Sequence, residues 1–233
     1  MTVIPSPNIW HWPELYELEN QVQDADGAIF SALREIADWT GKDVVDVGCG
    51  TGFHLPMFAE HARSVVGVEP HPPLVRVAQR RFHAAPRIRV LRGTAETLPL
   101  SKSSADVVHA RTAYFFGAKS GPGIREAMRV LRPGGALVVV DLDATAHPYG
   151  EWMRADAPHY DAAGVERFFD DAGFDIRRVD TRWVFPNRDA LARVLGIEFT
   201  ERTAARAYTS TSGLGLDVRY RIHWRHKRAG FWV

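Results

Sequence analysis

From residue 43 the chain alternates between two patterns. Short β-branched runs end in Gly or an acidic residue, and each is followed by a stretch whose apolar residues recur every three or four positions. The runs predict strands at 43–47, 64–68, 87–91, 105–110 and 135–142, and the stretches between them predict helices near 53–62, 73–84 and 122–131. VVDV, SVVGV and ALVVV are almost continuously apolar, as parallel strands covered on both faces must be. Strand–helix alternation of this length describes a doubly wound α/β sheet. Upstream, Ile29, Phe30, Leu33, Ile36 and Ala37 keep a helical period, with Asp26 or a neighbour placed to cap it.

Past residue 150 the pattern changes. Val165 to Ala172 predicts a helix stopped by Gly173, Ile176 to Phe185 a strand, and residues 187–195 a further helix. In DVRYRIHWRHKR, Val218, Tyr220, Ile222 and Trp224 alternate with Arg219, Arg221, His223 and Arg225, the period of a strand with one buried face. Its basic members are expected to face water and guard an exposed sheet edge. Two late strands complete a seven-stranded mixed sheet. Arg132-Pro133-Gly134-Gly135 reads as turn chemistry.

Composition adds exclusions. The 233 residues are 45% hydrophobic and 24% charged, with a net charge of +1, so no strongly charged partner is implied. The single cysteine, Cys49, leaves no internal disulfide framework and fits a reducing compartment. No run approaches the ~20 apolar residues that span a bilayer. The N-terminus has neither a basic start nor an apolar signal core, so a cytoplasmic protein is expected.

The candidate chemistry begins at Asp46-Val47-Gly48-Cys49-Gly50-Thr51-Gly52, between a strand and a helix. A ligand lying across the strand's end needs close backbone approach and positive φ, which Gly48, Gly50 and Gly52 permit. The spacing is GxGxG, not the GxGxxG that seats a dinucleotide pyrophosphate. Glu69 closes the next strand, where a carboxylate can bind both hydroxyls of a ribose.

With these residues in place, the chain resembles the class I S-adenosylmethionine-dependent methyltransferases, in their small-molecule branch. VVDVGCGTGF resembles the family's first motif, with Asp46 as its acid, and VVGVEP the second, with Glu69 and Pro70. GTAETLPL resembles the third, SADVVHAR the fourth, and MRVLRPGGALVVVD the turn and fifth strand. The resemblance covers roughly residues 28–143. It implies a Rossmann-like fold with an N-terminal helical lid over residues 1–27 and a methyltransferase domain over 28–233. Residues 28–143 would be its cofactor half and 144–233 its C-terminal half. It also implies S-adenosylmethionine as cofactor, S-adenosylhomocysteine as product, no metal, and contacts from Thr94, Ala95, Glu96 and Ala110. Thr94 departs from the pattern, since the family has an acid there and a hydroxyl accepts more weakly.

Methyl transfer in line needs few catalytic side chains, because positioning supplies most of the rate. His109 and Arg111 share one face of the fourth strand. His109 is a candidate general base, or a packed strand histidine. Arg111, if it points inward, suggests an acidic acceptor such as a carboxylate or phenol oxygen. Trp12, Tyr16, Tyr114 and Phe115 are candidate substrate contacts. A small molecule or peptide is the expected substrate. An RNA methyltransferase using the basic late strand and a non-catalytic cofactor-binding regulator are the alternatives, while a nicotinamide oxidoreductase is disfavoured by the glycine spacing. Oligomeric state stays open.

Overall fold

The computed structural model describes residues 6–114 and 117–228. Seven strands form one mixed sheet: β1 Asp43–Val47, β2 Ser64–Glu69, β3 Ile88–Arg92, β4 Ala105–Arg111, β5 Leu131–Leu142, β6 Asp175–Val184 and β7 Gly215–His226. Their spatial order is β3-β2-β1-β4-β5-β7-β6. Strands β1 to β5 run parallel, and β7 pairs antiparallel with both β5 and β6. The order reverses beside β1, so β1 and β4 splay their connections to opposite faces and leave a crevice at their C-terminal ends.

Helices cover both faces. In chain order they are α1 Pro7–His11, α2 Pro13–Val22, α3 Ala28–Ile36, α4 Leu55–Ala59, α5 Pro72–Arg81, α6 Gly121–Val130, α7 Tyr149–Asp156, α8 Ala162–Asp171, α9 Arg188–Glu198 and α10 Glu201–Ser210. One core layer joins Ile29, Leu33, Trp39, Phe58, Val107, Val138, Leu191 and Ile222. The other joins Val45, Val47, Val108, Leu137, Val139, Ile124 and Phe169. Val44 and Val45, or Val107 and Val108, supply both layers in turn, which is why these strands read as unbroken apolar runs.

Caps fall close to their expected positions. Asp24, two residues before the residue named from the sequence, accepts the backbone N–H of Ile29 at 2.9 Å and of Phe30 at 3.1 Å. Gly173 takes φ +75° and ends α8. Helices α1 and α2 fall within the expected N-terminal helical lid, while α7 and α10 lie where no helix is predicted.

One expectation is overturned. β7 is an interior strand, and β6 is the edge. Arg221 is 0% exposed and His223 2% exposed, on the face that packs against α8. The Arg221 guanidinium donates to the Tyr160 hydroxyl, and the His223 ring stacks on Phe169 at 4.3 Å. Arg219 pairs with Asp180 at 2.6 Å, Arg225 donates to the Ala172 carbonyl at 2.7 Å, and Lys227 to those of Met128 and Leu131 at 2.6 Å. Arg221 and His223 are thus buried in the fold, Arg225 and Lys227 are held by backbone carbonyls, and Arg219 pairs at the surface, so only His226 and Arg228 of that basic stretch are exposed.

Candidate active site

The chain leaves β1 through a loop in which Gly48, Gly50 and Gly52 all take positive φ, at +76°, +57° and +83°. A Cβ on Gly50 would lie 2.5 Å from the Ile9 Cδ1, and one on Gly52 would lie 2.5 Å from the Phe82 ring. Both positions therefore need glycine for backbone conformation and for space. Cys49 is buried against Gly67, where a Cβ would meet its sulfur at 2.7 Å, and burial raises its thiol pKa. It packs there as a small side chain.

Glu69 ends β2 and turns back onto this loop. Its Oε2 accepts the N–H of Gly50 at 3.0 Å and its Oε1 that of His71 at 2.9 Å. It is 4% exposed, and burial lifts its pKa despite these two donors. A carboxylate offers about four acceptor positions, so two stay available for a vicinal diol. The glycine backbone and this half-satisfied carboxylate fit the ribose end of S-adenosylmethionine.

A cavity of about 460 Å³ opens over the loop, within the range of small-molecule sites. Asp46, Gly48, Gly50, Glu69 and Pro70 line one end, joined by Thr94, Ala95 and Glu96. Ile9 and Trp10 of α1 form the roof there, and the Trp10 indole stacks on His71 with 4.4 Å between ring centroids. Glu17 of α2 ties the roof down, accepting from the Thr51 hydroxyl and from Arg81 at 3.0 Å.

The inner end is built from α2, α9, the end of β4 and the middle of β7. Tyr16, Glu19, Gln23, His54, Arg111 and Glu198 line it. Arg111 points inward, but its Nη2 donates to Gln23 Oε1 at 2.5 Å and its guanidinium lies 5.0 Å over the Tyr220 ring. Glu198 accepts from Asn8 at 2.5 Å and from the Tyr149 hydroxyl at 2.7 Å. Burial holds the Tyr16 and Tyr149 hydroxyls protonated and the His54 ring neutral.

Several expected residues stand elsewhere. His109 shares the Arg111 face but lies one pleat deeper, 2% exposed and outside the cavity lining. Its Nδ1 meets Asp46 Oδ1 at 2.7 Å, and its ring packs against Phe58 at 5.0 Å. Ala110 is fully buried within the sheet, between Val47 and Val139, and does not reach the cavity. Gly52 shapes the loop from behind. Trp12 joins α1 to α2, is 58% exposed and does not line the cavity, whereas Trp10 lines its cofactor end. Tyr114 touches the cavity, while its hydroxyl donates to the Gly123 carbonyl at 3.3 Å. Phe115 lies outside the described residues.

Sequence reasoning missed Glu19, His54 and Glu198. The signal for part of this existed: Tyr16, Glu19, Asn20 and Gln23 recur at helical spacing, and all four line the cavity.

Residues 45–139 match the family described as "Methyltransferase domain". The chain is 31% identical over 186 residues, 72% of its length, to an uncharacterised 37.1 kDa protein in a Streptomyces fradiae transposon, covering 54% of that protein. It is 35% identical over 115 residues to the phthiotriol/phenolphthiotriol dimycocerosates methyltransferase of Mycobacterium leprae, covering 48% of this chain and 42% of that one. The chain thus spans about half the length of these curated relatives. Among solved structures it resembles geranyl diphosphate methyltransferase in complex with S-adenosylmethionine, with a TM-score of 0.60, 16% identity, and 92% and 90% of the two chains covered.

Proposed function

We propose that this chain is a class I S-adenosylmethionine-dependent methyltransferase that transfers a methyl group to a small molecule held in the inner end of its cavity. The observation that carries this reading is Glu69. It is a buried carboxylate locked by two backbone N–H groups beside a glycine loop, with acceptor positions left over. Asp46, Gly48 and Gly50 would hold the amino-acid part of the cofactor, Glu69 the ribose, and Thr94 to Glu96 the adenine edge. The cofactor, when bound, supplies a methyl group on a sulfonium sulfur. The chain's own contribution is placement and exclusion of water: α1 and α2 roof the cavity, and α9 closes its far wall. Such positioning can supply about 7–11 kcal/mol of barrier reduction.

His109 has no route to a substrate proton, and in this reading it is a positioning residue that fixes Asp46. The acidic acceptor expected from Arg111 loses its motive, because that guanidinium already meets Gln23, the Tyr220 ring and the field of Glu19. The cytoplasm remains the compartment of choice for a chain whose one thiol is free and buried.

The test is calorimetric titration with S-adenosylhomocysteine. Micromolar binding is expected, weakened in Glu69→Ala by about 1–3 kcal/mol, or roughly 5- to 150-fold. No binding in the parent, or equal binding in the variant, would overturn the cofactor site.

A further inference from the structure

The inner end of the cavity holds two carboxyl groups and little to balance them. Glu19 of α2 is 3% exposed and lines the cavity. Its Oε1 accepts from Gln23 at 2.7 Å, and its Oε2 meets no donor among the described residues. Glu198 of α9 stands within hydrogen-bonding reach of it. The groups facing this pair are Tyr16 from α2, Tyr149 from α7, Arg111 from β4 and Tyr220 from β7. Arg111 is the one cation among them, and it is engaged by Gln23 and the Tyr220 ring.

Two carboxylates this close in a dry site cannot both ionise unless a cation joins them. Without one, Glu19 keeps its proton. Burial first, and Glu198 second, accordingly hold Glu19 well above the ordinary carboxylate range. A buried acceptor aimed into a cavity and lacking a donor is an unfilled half of a hydrogen bond. The donor has to come from the occupant, and a charged donor satisfies the pair best. Phe199, at the rim of the same cavity, offers an apolar face for the body of such a molecule.

We propose that this inner end is a binding site for a small protonated amine, held between Glu19 and Glu198 with its ammonium hydrogens directed at Glu19 Oε2 and at the Glu198 carboxylate, whose oxygens also accept from Asn8 and Tyr149. This rests on the methyltransferase reading and names its acceptor class as an amine-bearing compound. The occupant arrives as a cation, and the proton it displaces from Glu19 leaves to solvent.

The experiment is titration of 2-phenylethylamine and n-hexylamine into the full chain saturated with S-adenosylhomocysteine. The carboxylic acids and alcohols of matching shape are run beside them. Calorimetry in two buffers of different ionisation enthalpy counts the protons released. At least one amine is expected to bind ten times more tightly than its acid and alcohol counterparts, releasing a fraction of one proton at neutral pH. Glu19→Gln and Glu198→Gln should each weaken amine binding tenfold or more and remove the proton release. Glu19→Gln should still bind S-adenosylhomocysteine within twofold of the parent, and both variants should keep a single cooperative thermal melt, which shows that they are folded. Amines that bind no better than acids or alcohols, no amine binding with the product bound, or amine binding unchanged in both variants would overturn the proposal. If S-adenosylhomocysteine itself fails to bind the parent, the cofactor reading falls, and this one falls with it.

Discussion

Asp46 and His109 are paired by parallel register on β1 and β4, so their side chains leave the sheet together and meet at 2.7 Å. Both are almost fully buried, and His109 Nε2 has no partner among the described residues. The contact pins the carboxylate just where β1 passes into the glycine loop. His109→Leu would strip Asp46 of that partner and should cost about 2–3 kcal/mol, lowering the melting temperature by roughly 5–10 °C in a chain of this size. His109→Asn keeps a donor and should lose less than half of that. Thermal melts of both variants check this, and a Leu variant as stable as the parent would show that the pair is not structural. The residues nearest this site were legible because their chemistry is local: Asp46, the glycines and Glu69 each end or follow a strand that the apolar pattern reveals. Glu19 and Glu198 were not, since they meet only when α2 is laid against α9, and no spacing along the chain encodes that contact.

At the level of elements, α1 is short and would not hold a helix alone. Its order comes from what it touches: Ile9 over Gly50, Trp10 on His71 and Asn8 on Glu198. A roof of this kind should loosen when one anchor goes. Trp10→Ala removes a stack worth about 0.5–1.5 kcal/mol, and S-adenosylhomocysteine should bind about three- to tenfold more weakly while the melting temperature of the free protein stays within about 2 °C. Weaker binding together with a collapsed melt would mean that Trp10 serves the core and not the roof. The parallel half of the sheet was readable because strands buried on both faces write themselves as unbroken apolar runs. β7 was misread for a complementary reason. Alternation shows that two faces differ, but says nothing of what lies beside the strand or over its polar face. Here Phe169 of α8 and Tyr160, just before it, cover that face, and β6 takes the edge. Helix α10, ERTAARAYTS, buries only Thr203 and Ala207, too thin an apolar stripe to announce itself.

For the whole molecule, the polar interior beneath α8 sets how stability responds to pH. Asp141 is 0% exposed, faces Arg221 across β5 and β7, and has no hydrogen-bond partner for either oxygen among the described residues. Burial pushes its pKa up to about 7, with Arg221 acting in the other direction. The unfolded chain has an ordinary carboxyl near pH 4. Between about pH 4 and pH 7 the folded state therefore holds more protons, and stability falls as pH rises through that window and levels off above it. Three units at 1.36 kcal/mol each set an upper limit of about 4 kcal/mol. Other groups act elsewhere or oppositely. Asp43, held low by Arg63, Ser64 and Arg132, and Asp180, held low by Arg219, lose their contribution only as pH falls below the ordinary carboxylate range. His223, depressed to about 3 by burial and by Arg221, makes stability rise with pH up to the ordinary histidine range. The parent curve alone thus mixes opposing slopes, while the difference between parent and Asp141→Asn isolates the buried acid. The Asn variant should gain on the parent by about 2–4 kcal/mol between pH 4.5 and pH 8, read as a shift of roughly 5–12 °C in the difference of melting temperatures. A constant difference across that range would mean that Asp141 titrates where an exposed aspartate does, and that Arg221 or water compensates it fully.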